Sequence, residues 1–97
     1  MKHSKNSQFG AFTSDLWVRS GYSQRDFAAK VHRPESYISR VRLGALLPPD
    51  DATVELWADA VSATPEERAT MLDLAALEHT PDRIRRKFLQ LSLALAG

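Results

Sequence analysis

The sequence predicts an all-α fold of five to six short helices, and three observations carry that reading. Helix-start signals recur: Ser23 before Gln24-Arg25-Asp26, then Thr64-Pro65-Glu66-Glu67, then Thr80-Pro81-Asp82. Apolar residues recur at helical spacing, as in Val54, Trp57, Ala58 and Val61 at i, i+3, i+4 and i+7. Gly21 and Gly44 stand where helices should stop. At 97 residues the chain is long enough for one domain with a modest core and too short for two.

Residues 1–7, MKHSKNS, carry no apolar side chain after the initiator and are expected to form a flexible N-terminal arm. The first helix should run from Ser7 or Gln8 to Ser20, burying Phe9, Phe12 and Leu16, with Gly21 as its left-handed stop. Ser23 then caps a second helix in which Phe27, Ala28 and Val31 share a face. Pro34 disfavours the α region for the residue before it, so this helix must end by Arg33. A third helix begins at Pro34 or Glu35. It turns Ile38 and Val41 inward and leaves Glu35, Ser36, Ser39 and Arg40 outward, with Gly44 at its end.

Pro48-Pro49 hold the next connection extended, and Asp50 or Asp51 caps the fourth helix. The fifth starts at Thr64 and includes Met71, Leu72, Leu74, Ala75 and Leu77. The last, opened by Thr80-Pro81-Asp82, lines Ile84, Phe88, Leu91 and Leu95 on one face and sets Leu89 and Leu93 nearly opposite.

A helix that exposes small, hydrogen-bonding side chains near its start, with a second helix behind it, has the design of a helix-turn-helix reader. From Phe9 to about Pro49, roughly 40% of its length, the chain resembles the Cro and lambda-repressor-like DNA-binding family, also called the xenobiotic-response-element (XRE) type. The matching residues are Phe9-Gly10, Phe12, Leu16, Gly21, Ser23-Gln24, Ala28, Val31, Tyr37-Ile38-Ser39-Arg40-Val41 and Gly44. The resemblance implies a lambda-repressor-like helix-turn-helix domain over residues 8–62, with a C-terminal helical extension over 63–97. Where the family usually has glycine in the turn this chain has His32, which either takes the left-handed position itself or reshapes the turn. Arg33 replaces a small apolar residue, Pro34 a capping serine or threonine, and Arg42-Leu43 an acidic and polar pair.

The net charge of +1 hides an uneven distribution. Residues 1–42 carry eight basic side chains against three acidic, a balance of +5, whereas the remainder carries five against nine, a balance of −4. A positive field on the half with the reader is what contact with phosphates requires.

By the resemblance, Glu35, Ser36, Ser39 and Arg40 occupy the base-reading positions. Arg40 could fork onto guanine O6 and N7, while Glu35, an acceptor alone, would favour a cytosine amino group. Gln24 matches a phosphate-binding position, and Arg25, Arg33 and Arg42 are phosphate candidates by charge. Tyr37 either reaches a phosphate or thymine methyl or packs sideways; Trp17 either covers the core edge or stacks near the DNA backbone. The two apolar sets of the last helix exceed what one contact can bury, so Phe88, Leu89 and Leu93 are expected to form a homodimer interface.

Enzymatic readings find little to rest on. His3, His32 and His79 are scattered, there is no cysteine, and no serine sits in a recognisable nucleophile turn, so neither a metal site nor a catalytic centre is expected. No cofactor loop is present, and the four glycines read as helix punctuation. No apolar run approaches a membrane span or a signal peptide, and a cytoplasmic location is expected.

The sequence therefore points to a DNA-binding transcription regulator, a homodimeric repressor reading an inverted-repeat operator in double-stranded DNA with the helix around 34–43. The other class that fits is an antitoxin or adaptor that grips a protein partner through its C-terminal helices.

Overall fold

A computed structural model of the chain describes residues 7–81 together with Arg83, Ile84, Lys87 and Gln90. Five helices follow one another: α1 (Gln8–Arg19), α2 (Gln24–Lys30), α3 (Glu35–Arg42), α4 (Asp51–Ala60) and α5 (Pro65–His79). The described residues include no strand, and no helix among them is long and apolar enough to cross a membrane.

Local chemistry sets most of the helix ends. Ser7, Ser23, Asp50 and Thr64 each accept an N–H of the first turn of α1, α2, α4 and α5. At α2 and α5 the box is closed, because Asp26 and Glu67 accept in return from the backbone N–H of Ser23 and Thr64. Only α3 starts without a side-chain cap, at Pro34. Ser7, expected in the flexible arm, is instead buried as the α1 cap, and residues 1–6 of that expected arm lie outside the described residues.

The C-termini of α1 to α4 share one device. The residue after each C-cap bonds back to the carbonyl three before it, and the next residue to the one five before: Gly21 to Val18 and Tyr22 to Trp17; His32 to Ala29 and Arg33 to Ala28; Gly44 to Val41 and Ala45 to Arg40; Ser62 to Asp59 and Ala63 to Ala58. This Schellman pairing needs a left-handed residue at its corner. Gly21 and Gly44 supply it freely, whereas His32 at φ 59° and Ser62 at φ 53° adopt it with a Cβ in place. Of the two routes open to His32, it takes the left-handed position itself.

The core is organised on Trp57 of α4. Its ring meets Phe27 edge-on at 5.5 Å, Tyr37 edge-on at 6.2 Å and Phe9 at 6.1 Å, so one side chain ties α4 to α1, α2 and α3. Trp17 stacks on Phe27 at 4.6 Å and is 4% exposed, a core residue rather than a flank. Leu16, Ala28, Ile38, Val41, Val54, Ala58, Val61, Met71 and Ala75 complete it. Met71 and Ala75 place α5 in the same core, against α1 and α4.

Two expectations inside α1 are corrected. Its buried stripe is Phe9, Thr13, Leu16 and Trp17, so Thr13 takes the central position and Phe12, at the edge of that arc, is only half-buried. Gly10 is not punctuation. It lies inside α1 where the helix backbone meets α3, and a Cβ there would stand 2.5 Å from the Arg42 Cα.

The end of α5 is tied down by polar contacts. The Glu78 carboxylate accepts from the Ser7 hydroxyl and from the Phe9 N–H at 2.8 Å each, and His79 Nε2 pairs with the Pro48 carbonyl at 2.7 Å. Thr80 is the C-cap of α5, its hydroxyl donating back to the Ala76 carbonyl, and the start of the last helix expected to open there lies outside the described residues. Arg83, Ile84, Lys87 and Gln90 beyond it are helical and exposed.

Candidate functional site

The outward face of α3 is built from the inside. Ile38 and Val41, 1% and 2% exposed, anchor one side of the helix in the core, and the α1 backbone presses on its last turn at Gly10. Glu35, Ser36 and Arg40 are left exposed, with Ser39 and Arg42 half-buried. Glu35 and Arg42, two turns apart, share the flank toward α2; Ser36 and Arg40, four apart, share the other.

Gln24, the first residue of α2, bridges the first flank. Its Oε1 accepts from Arg42 Nε at 2.7 Å and its Nε2 donates to a Glu35 carboxylate oxygen at 3.3 Å. One amide thus orients the acid at the start of α3 and the guanidinium at its end. Arg42 keeps its terminal nitrogens without a partner among the described residues. The Gln24 side chain, expected on a phosphate, is engaged within the fold.

Charge around this face is unbalanced. Ion pairs among the described residues engage Arg19 with Glu67, and Arg68 with Glu55 and Asp59, all on α1, α4 and α5. Arg25, Lys30, Arg33, Arg40 and Arg42, on α2, α3 and the turn between them, have no carboxylate within ion-pair distance among the described residues. Cations that make no direct ion pair keep much of their attraction for an external anion, although Arg25 and Arg33 also act at longer range on Asp26 and Asp50.

Not every sequence-predicted residue gathers here. Arg25 is exposed on the first turn of α2. Arg33 lies at the other end of that helix, its guanidinium 5.5 Å over the Tyr37 ring, and Tyr37 packs sideways against Trp57, half-buried. Phe88, Leu89 and Leu93 lie outside the described residues. No group of three or more His, Cys, Asp or Glu among the described residues is placed to hold a metal ion.

Sequence reasoning missed the Gln24 bridge, because its partners lie 11 and 18 residues away and nothing local marks them. It missed Gly10 as a spacer as well, although a lone glycine amid helix-period apolar residues is the usual trace of close backbone approach. Compared with known protein families, characterised proteins and solved structures, the chain matches none.

Proposed function

We propose that the chain is a sequence-specific regulator of transcription of the Cro and lambda-repressor type, binding double-stranded DNA as a homodimeric repressor. The observation that carries the reading is the α3 face: Glu35, Ser36 and Arg40 exposed, Ile38 and Val41 buried behind them, and cations around it that make no ion pair among the described residues. In this reading α3 enters the major groove. Arg40 forks onto a guanine, Glu35 accepts from a cytosine amino group, and Ser36 and Ser39 bond neighbouring base edges. Arg25 and Arg42 hold phosphates, and Gln24 sets the angle of Arg42 through the Nε bond. Ile84, 47% exposed, supports a second copy pairing beyond α5, where the sequence places Phe88, Leu89 and Leu93.

The test is selection of bound duplexes from a random DNA pool by the purified chain at near-physiological salt. An enriched inverted repeat is expected, its half-site spacing reporting the pairing geometry. A single enriched half-site would remove the dimer and keep the reader. No enrichment from folded protein overturns the reading.

A further inference from the structure

At the end of α2 away from Gln24, the turn into α3 faces α4 across an open cleft of about 210 Å³. Val31, Trp57 and Ala60 give it apolar walls, and Leu56, 65% exposed, stands at its rim. Lys30, His32 and Arg33 line the α2 side. Lys30 and Arg33 are held over the rings of Tyr22 and Tyr37, at 5.8 and 5.5 Å, not on carboxylates. His32 reaches this cleft from a left-handed corner that glycine occupies at Gly21 and Gly44.

Size and charge narrow the occupant. The volume is below the roughly 300–1,000 Å³ of small-molecule sites, yet ample for one or two side chains. An apolar slot beside cations that make no direct ion pair among the described residues complements an apolar side chain flanked by carboxylates. We propose that the cleft docks an acidic segment of a partner protein, with one apolar side chain between Val31 and Leu56 and its neighbouring carboxylates on Lys30, His32 and Arg33. The proposal stands independently of the DNA reading.

The experiment is selection from a random-peptide display library on the purified full chain at near-physiological salt. Enriched peptides are expected to combine Leu, Phe or Met with Asp or Glu. Their affinity should fall about tenfold or more on Leu56→Ser, Lys30→Glu and His32→Gly, each checked by thermal melting. His32→Gly is the most telling variant, because relief of the strained corner should raise its melting temperature while binding weakens, a combination that damage to the fold does not produce. Absence of acidic-apolar peptides from the selection overturns the proposal, as do peptides that bind all three variants like the parent. Loss on Lys30→Glu alone marks unspecific charge attraction and overturns it too. Amide shifts at Val31, His32 and Leu56 that follow a DNA duplex instead of the peptide assign the cleft to nucleic acid, with the same result.

Discussion

Gly10 and Arg42 meet backbone to backbone: a Cβ on Gly10 would stand 2.5 Å from the Arg42 Cα and 2.6 Å from its carbonyl oxygen. Alanine is the better helix former by about 1 kcal/mol, yet overpacking a close contact costs about 1–3 kcal/mol and here the obstacle is main chain. Gly10→Ala is therefore expected to lower stability in urea unfolding despite its propensity. A neutral or stabilised variant would show that α1 and α3 do not approach this closely.

Thr13 presents the opposite case, a side chain that the core would do better without. Its hydroxyl is buried, 1% exposed, and has no hydrogen-bond partner among the described residues. A buried donor left unpaired is penalised by its desolvation, so Thr13→Val should gain about 1 kcal/mol in the same unfolding assay. A loss of stability would mean that the hydroxyl has a partner, such as an ordered water.

Ser62 holds the left-handed corner after α4 at φ 53°, with no glycine to relieve it. Ser62→Gly should raise stability by about 0.5–1 kcal/mol, the relief of the Cβ strain less the extra freedom glycine has when unfolded. Equal melting temperatures would mean that the two effects cancel there.

Acid should weaken the α1–α5 contact through Glu67. The Arg19 guanidinium, and then the Thr64 N–H, hold its carboxyl at a pKa of about 2. A folded-state pKa below the unfolded value, about 4.3, contributes stability that is complete above the unfolded value and vanishes as pH falls toward the folded one. Asp26 and Asp50 are lowered likewise, through hydrogen bonds with Ser23 and Thr53. The melting temperature is expected to drop as pH falls from about 4.5 to 2, and Glu67→Gln, which retains a capping side chain, should drop less. Overlapping acid profiles for the two proteins would take Glu67 out of the account.

On the proposed DNA reading, Arg40 and Arg42 should separate cleanly. Arg40→Ala is expected to lose about 1–3 kcal/mol of discrimination at one base pair of the selected site. Arg42→Ala should weaken all duplexes alike and reduce the salt slope by about 1, while also releasing Gln24. Unchanged site preference in Arg40→Ala would remove this residue from base reading.

What the sequence determined by itself is local in its physics. Ser23, Asp50 and Thr64 with Glu67 mark helix starts because a cap bonds an N–H two or three residues on. Pro34 bars α2 from passing Arg33 by sterics on its neighbour, although the left-handed His32 already closes the helix after Lys30, and Val54, Trp57, Ala58 and Val61 reveal the inward stripe of α4 by period alone. The outward set on α3 follows from the same period, so the exposed Glu35, Ser36 and Arg40 were legible before any coordinates.

Tertiary structure alone decided whatever depends on partners distant in the chain. Trp17 could cover or protrude until Phe27 stacked on it, and Tyr37 could reach outward until Trp57 took its edge. Glu78 closes the start of α1 from 71 residues away, and Gln24 ties Glu35 to Arg42 across the α2–α3 turn. No propensity or spacing encodes such contacts, because they arise only when packed helices bring side chains within hydrogen-bond reach and exclude the water that would otherwise serve them.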